Sequence, residues 1–154
     1  MISLIEEVDV TAVNLAVELE RAVIEHSLDD DESIYVSEDS WHPYVLRILN
    51  GMGVIRFSTF VTFKSTVSAL QRLQFANELN SNHDLLTAHV SDDDCLYFDY
   101  ALIFRDGLLR ETFIRTCRQF PANIERGLKS VDPDGSFVMS PGEEDQDEDE
   151  GSES

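Results

Sequence analysis

Four histidines and two cysteines are the imidazole and thiol side chains of this sequence that could bind a zinc ion or take part in nucleophilic catalysis. They are His26, His42, His83, His89, Cys95 and Cys117. No two of the histidines have the spacing that builds a local zinc site. Both cysteines lie in apolar patterns, where desolvation disfavours the reactive thiolate. We therefore expect no metal, no cofactor and no catalytic cysteine.

Two acidic segments are candidates for cation sites. Asp132-Pro133-Asp134-Gly135 has the composition of a turn and residues 92–94 that of a hairpin tip, so neither predicts a calcium site. The chain also lacks Gly-x-Ser-x-Gly and a glycine-rich phosphate loop. A site assembled from residues distant in sequence stays open, so a small-ligand sensor or small enzyme is retained as one alternative function.

Acidic residues dominate the composition. The chain has 31 Asp and Glu against 11 Lys and Arg, which gives a formal net charge of -20. Eight of the acids lie within residues 143–153, which contain no basic residue. Because binding to a phosphate backbone requires clustered Lys and Arg, this balance argues against direct nucleic-acid binding.

The distribution of apolar residues and cysteines predicts a cytoplasmic protein without a membrane partner. No apolar run approaches the roughly 18 residues of a membrane span, and no secretory leader precedes the first element. Two cysteines without Cys-x-x-Cys spacing are typical of buried, reduced thiols. We expect one domain over residues 1–138 and a disordered acidic tail over residues 139–154.

Hydrophobic periodicity gives the order helix, three strands, helix, two strands, helix. The predicted helices cover residues 11–27, 65–82 and 109–128, and the predicted strands cover residues 33–37, 43–49, 54–63, 85–91 and 95–104. The strand connections are too short to carry helices, and Asn50-Gly51 marks a hairpin, so the sheet is antiparallel. We predict an α+β fold with an antiparallel sheet of about five strands and three helices, in the order α-βββ-α-ββ-α. Pro121 should kink or restart the third helix.

The last predicted strand, CLYFDYALIF, is apolar on both faces. One face needs a core and consists of Leu96, Phe98, Tyr100, Leu102 and Phe104. We expect the other face to bind a second subunit or a protein client. Its candidate contact residues are Tyr97, Ala101 and Ile103, joined by Phe60 from an adjoining strand and by Phe75 from outside the buried arc of the second helix. The alternative is that the second helix or a loop covers this face within the monomer.

The third helix and the turn before it hold six of the eleven basic residues. Three of these bases follow an acid by four positions, in the pairs Asp106–Arg110, Glu111–Arg115 and Glu125–Lys129. The arginines left without such a partner are Arg105, Arg118 and Arg126. We hypothesise that the acidic segment 143–153 contacts these three arginines and competes there with an acidic partner.

Two segments carry a resemblance to a known family: FANELNSN, residues 75–82, and YFDYALIFRDGLLRETFIRTCRQF, residues 97–120. The sequence resembles the YbjN family of bacterial sensory-transduction regulators over nearly the whole chain up to about residue 130. That family is similar in fold to type III secretion chaperones, small acidic α+β proteins that usually dimerise. The resemblance implies a binding or regulatory protein and supplies no catalytic residues.

The predicted function is that of a non-enzymatic, protein-binding regulator in signalling or stress regulation, a homodimer that acts through its apolar sheet face. One alternative within the binding class is a secretion-chaperone-like protein that holds a client segment extended against its surface. The other is the ligand sensor or small enzyme, which a deep pocket with convergent polar groups would support.

Overall fold

The computed structural model describes residues 3–38 and 42–140 of the chain. Its helices are α1 (Ala12–Arg21), α2 (Ala69–Asn82) and α3 (Arg110–Val131), with a short 3-10 turn at Glu7–Asp9. Its strands are β1 (Leu4–Ile5), β2 (His26–Leu28), β3 (Ile34–Val36), β4 (Tyr44–Leu49), β5 (Val54–Thr62), β6 (Thr87–Val90), β7 (Cys95–Ile103) and β8 (Leu108–Leu109). The α+β class and the three helices are confirmed.

The main sheet has six antiparallel strands in the order β2-β3-β4-β5-β7-β6, one more than predicted. The short strands β1 and β8 pair separately beside it. All three predicted hairpin-linked strands, β3, β4 and β5, are adjacent, and β6 and β7 form the second hairpin. The two longest strands, β5 and β7, lie side by side at the centre and fix the register of both faces.

The extra strand arises because the first helix ends earlier than predicted. α1 stops at Arg21, and Val23 adopts a left-handed conformation with a φ of 59°. The backbone N–H of Ile24 then donates to the Leu19 carbonyl at 3.0 Å, a Schellman-type ending. β-branched residues rarely adopt this conformation, so the sequence carries no ordinary signal for the end of the helix.

The hairpin between β4 and β5 is also longer than the two-residue turn that Asn50-Gly51 predicts. The left-handed residue is Gly53, with a φ of 65°, and its N–H donates to the Leu49 carbonyl at 2.9 Å. A Cβ on Gly53 would lie 2.3 Å from the Arg105 side chain. The glycine is therefore required both by its backbone conformation and by the close approach of Arg105.

All three helices pack against one face of the sheet, here called the inner face. The buried strand residues include Leu46, Ile55, Phe57, Leu96 and Phe98, and they share one core with Leu15 and Leu19 of α1, Phe75 and Leu79 of α2, and Phe113, Cys117, Phe120 and Ile124 of α3. The prediction that the Leu96, Phe98 and Phe104 face of β7 needs a core is confirmed.

Pro121 lies inside α3 and the helix continues through it, so the prediction that the helix restarts there is wrong. A proline has no N–H, so the carbonyl four residues earlier, that of Cys117, lacks its helical donor. The hydroxyl of Tyr44 donates to that carbonyl at 2.6 Å from β4. Burial raises the pKa of the Tyr44 phenol, which keeps its proton available for this bond.

Replacing Tyr44 by Phe is expected to lower the free energy of unfolding by about 2 kcal/mol, because the buried Cys117 carbonyl then has no donor. Urea unfolding of Tyr44→Phe, Pro121→Ala and the double variant tests the explanation. Pro121→Ala returns an N–H to position 121, so the loss caused by Tyr44→Phe should be smaller in that background. Equal losses in both backgrounds would contradict it.

The edge of the sheet at β6 is closed by a side chain of α2. The Asn80 amide donates to the Ala88 carbonyl and accepts from the Ala88 N–H, both at 2.8 Å. These two bonds imitate those of a further strand at the position where β6 has no neighbour. Because the edge groups of Ala88 are occupied, the middle of β6 is a poor site for adding a strand from another chain.

Candidate functional site

The outer face is the side of the sheet opposite the helices, and no described helix or loop covers it. The register aligns its residues in cross-strand rows: Phe60–Tyr97–His89, Tyr35–Val45–Ser58–Asp99–Thr87, Arg47–Arg56–Ala101 and Leu49–Val54–Ile103. The alternative that α2 covers this face is wrong, because the buried residues of α2 belong to the core on the inner face.

The structure places four of the five predicted contact residues on the outer face. Phe60 is 51% exposed, Ile103 is 68% exposed, Ala101 is exposed and Tyr97 is half-buried. They form two groups rather than one, because Tyr97 and Ile103 lie six residues apart on β7, roughly 20 Å along the strand. Ile103 and Tyr97 therefore mark opposite ends of the face.

Phe75, the fifth predicted contact residue, does not lie on a surface, and that prediction is wrong. Its side chain is only 3% exposed and packs between Phe63, with ring centroids 5.7 Å apart, and Phe137, at 5.4 Å. α2 begins later than predicted, after the Ser68 cap, and its phase turns Phe75 inward. Leu70 and Leu73 of the same helix are exposed.

An aromatic row forms one end of the outer face. The Phe60 and Tyr97 rings have centroids 5.3 Å apart, and His89 stacks on Tyr97 at 5.5 Å. The Tyr97 hydroxyl donates to Asp93 at 3.3 Å, and desolvation together with that carboxylate raises the pKa of the phenol. Exposed aromatic groups fixed in this way offer large contact area at little cost in side-chain entropy.

Polar groups at the centre of the face are not arranged for catalysis. The Ser58 hydroxyl donates to Asp99 at 2.7 Å, and His89 lies 3.4 Å from the other Asp99 oxygen. A nucleophilic serine must instead donate to the histidine that takes its proton. Here the carboxylate lies between the two, so the set orients His89 and Ser58 without activating either.

Two hollows adjoin on this side of the molecule. The first, of about 690 Å³, lies over the outer face between Tyr35, Arg47, Arg56, Phe60 and Tyr97. The second, of about 800 Å³, lies beside the end of α3 and is lined by Leu128 and by residues 138–140. Tyr35, His42 and Pro43 border both hollows, so the two hollows lie next to each other.

The predicted electrostatic residues have different surroundings. Arg105 donates to Glu7 at 2.8 Å and to the Gly51 carbonyl at 3.0 Å, so it holds the N-terminal segment to the β4–β5 hairpin. Arg118 reaches the Ala22 carbonyl at 3.4 Å. Arg126 has no ion pair within the part of the chain that the structure describes. Arg105 is therefore occupied, and the acidic segment that was expected to contact all three lies outside the described residues.

Of the three acid–base pairs predicted along α3, the structure shows the pair between Glu125 and Lys129. Lys129 lies 2.9 Å from Glu125 as predicted. Arg110 instead donates to Glu18 of α1 at 2.9 Å, and Glu18 also accepts from Arg21 at 3.2 Å. The helix charges thus serve partly to join α1 to α3, a role that spacing within one helix does not reveal.

The remaining candidate residues, the two cysteines and Asp132, have structural rather than reactive surroundings. Cys95 and Cys117 are free and buried, and burial raises the pKa of the Cys117 thiol to about 12. The Asp132 carboxylate accepts backbone N–H groups of residues 136, 137 and 138, which confirms a turn there. Within residues 3–38 and 42–140, no three His, Cys, Asp or Glu side chains converge as a metal site.

None of the helices in these ranges is both long and apolar enough to cross a membrane.

Two solved structures share this fold. The crystal structure of YbjN from E. coli, described as "a putative transcription regulator", matches with a TM-score of 0.67 at 14% identity, over 83% of this chain and 95% of that chain. A chain of the HopA1–SchA chaperone–effector complex matches with a TM-score of 0.52 at 11% identity, over 71% of this chain and 84% of that chain. At these identities the likeness shows the fold alone.

Comparison with curated proteins gives no match. Comparison with family models matches residues 11–132 to YbjN, described as "Putative bacterial sensory transduction regulator". That range runs from the cap of α1 to the end of α3 and includes the whole outer face. Because the match covers most of the 154 residues, the chain belongs to the YbjN family.

Proposed function

We propose that this protein is a non-enzymatic, cytoplasmic regulator that binds another protein through the outer face of its sheet. The observation that carries the proposal is the exposure of large apolar side chains on a sheet face that no described element covers. Phe60 and Ile103 expose half or more of their surface there, although the same strands bury Ile55, Phe57, Leu96 and Phe98 on their other faces. Exposed apolar groups on an ordered surface are typical of interaction sites.

Membership of the YbjN family supports a regulatory role, since its description is that of a sensory transduction regulator. The geometry agrees with a role that needs no catalysis, because Ser58 and His89 both contact the Asp99 carboxylate rather than each other. We further propose that the protein forms a homodimer. A second copy seated on the outer face would cover the same residues as a client, so the two interactions would compete.

A secretion-chaperone-like role is the second candidate, and one observation favours it. The fold is similar to that of a chain in a chaperone–effector complex. In this reading the hollow across the outer face would hold an extended segment of a client, with the aromatic row at one end and Ile103 at the other. The two roles predict different partners: a folded protein for the regulator and an unfolded segment for the chaperone.

Affinity capture from native cell lysate tests the proposal, with the full chain and Ile103→Asp as baits. We expect a defined protein to bind the full chain and to be lost with Ile103→Asp, because a charge then replaces a 68% exposed apolar side chain on the outer face. Leu70→Asp is the matched control, since Leu70 is 64% exposed but lies on α2, away from the sheet face.

Light scattering on the same proteins tests the dimer. Retention of the partner and of the dimer by Ile103→Asp, with loss of both in Leu70→Asp, would contradict an outer-face site. Unfolding of Ile103→Asp would show that the side chain is needed for stability.

A further inference from the structure

Two arginines face each other on the outer face without a sufficient counter-charge. Arg47 of β4 and Arg56 of β5 are directly opposite in the register. Like charges in this position destabilise a strand pair. Arg47 lies 3.8 Å from Asp31, with both side chains largely exposed, and such a pair contributes little. Arg56 forms no ion pair or hydrogen bond with any described residue.

The carboxylate in the neighbouring row does not supply the missing charge. Asp99 is opposite Ser58 rather than Arg56, accepts the Ser58 hydroxyl at 2.7 Å and lies 3.4 Å from His89. The remaining row partner of Arg56 is Ala101, which has no polar side chain. In a chain of net charge -20, an unneutralised arginine pair is an exception that an anionic segment would relieve.

The described chain ends beside this face and points along it. Val138 bridges Phe63 in an antiparallel sense, and the Met139 N–H donates to the Thr62 carbonyl at 2.9 Å. The chain therefore runs opposite to β5, in the direction of Arg56. Continued at the strand rise of roughly 3.3 Å per residue, residue 145 comes level with Arg56, about 20 Å further on.

Neighbouring elements leave the outer side of the sheet free for the chain to continue beyond residue 140. β4 takes the place beside β5 from Ser58 to Val54, and Ile124 and Leu128 of α3 line the hollow at residues 138–140. That hollow lies next to the outer-face hollow, since His42 and Pro43 border both. Residues 143–153, with eight carboxylates and no base, follow directly.

We propose that the acidic segment 143–153 lies across the outer face of its own chain and binds Arg56 and Arg47. The acidic residues at 145–150 are within reach of Arg47 and Arg56. The segment has no apolar side chain that could pack against the aromatic row. Ion pairs alone thus hold the segment on the face. A ligand that also contacts Phe60 and Tyr97 displaces it. The inference needs no partner protein and stands apart from the proposed function.

Paramagnetic relaxation measured by NMR on the full chain tests the contact. A nitroxide is attached at Gln146→Cys, a neutral position between two acids, while the buried Cys95 and Cys117 resist labelling. We expect the amide signals of Arg56, Ser58 and Ala101 to lose most of their intensity. The loss should disappear at about 1 M salt, where the screening length falls to ~3 Å.

Two variants identify the residues responsible. The Arg47→Gln, Arg56→Gln double variant should restore the signals, whereas Arg126→Gln, which removes an arginine of α3 without an ion pair, should leave the loss unchanged. Broadening centred on α3 and abolished by Arg126→Gln would overturn the proposal, as would no broadening at low salt. Broadening seen when the nitroxide is on a second, isotopically unlabelled copy would assign the contact to another chain and overturn it too.

Discussion

Phe60→Asp is expected to weaken binding of the protein captured by the full chain by about thirtyfold or more, roughly 2 kcal/mol. Phe60 is 51% exposed and packs against Tyr97, whose ring in turn stacks on His89, so it is the exposed end of the aromatic row. Aromatic side chains in such positions carry much of the energy of an interface. Isothermal titration calorimetry with the purified partner measures the change.

The stability of Phe60→Asp must be checked alongside its affinity. Because the ring lies on an exposed face, we expect its urea unfolding midpoint to stay close to that of the unaltered protein. Leu73→Asp is the matched control: this side chain is similarly exposed but lies on α2, and its change should leave the dissociation constant unaltered. Equal weakening by both variants would indicate a charge effect instead of a contact at the aromatic row.

The strands at the centre of the sheet could be predicted because their two faces differ. β5 and β7 alternate over nine residues each, and their register pairs Phe57 with Tyr100 inside and Phe60 with Tyr97 outside. Alternation over nine residues determines which side chains share a face, independently of contacts with the rest of the chain. The outer-face positions of Tyr97, Ala101 and Ile103 follow directly from it.

Features that depend on distant contacts could not be predicted in this way. The burial of Phe75 requires Phe137, 62 residues later in a segment whose sequence reads as a linker. β2 has three residues, too few to show a period, and it exists because Val23 turns the chain back from α1. Continuity of α3 through Pro121 depends on the Tyr44 hydroxyl from another element.

In the candidate site, the arginine pair is likewise a feature that depends on distant contacts and could not be predicted from the sequence. Arg47 and Arg56 each sit at polar positions of their own strands, and both are ordinary surface residues when considered alone. Their significance comes from the register, which places them opposite one another and away from Asp99. The pattern of α3 alone assigns the unpaired basic charge to Arg105, Arg118 and Arg126, and of these the structure shows Arg105 bound to Glu7.

Asp132→Ala is expected to lower the free energy of unfolding by about 3 kcal/mol, because one buried carboxylate supplies several charge-assisted hydrogen bonds. Asp132 is 6% exposed and accepts from the N–H groups of Ser136 at 2.8 Å, Phe137 at 3.2 Å and Val138 at 3.1 Å. Without it, these donors lose their partner and the segment that carries Phe137 against Phe75 is released. Urea unfolding measures the loss.

Asp134→Ala is the control, since Asp134 lies two residues away, is exposed and bonds only Ser136 among the described residues. Its cost should stay below about 1 kcal/mol, and equal costs for the two variants would contradict the role given to Asp132. Because Val138 and Met139 set the direction of the chain along β5, Asp132→Ala should also weaken the contact of the acidic segment with Arg56. The nitroxide at Gln146→Cys would then broaden the Arg56 signal less at the same salt concentration, while Asp134→Ala would leave the broadening in place.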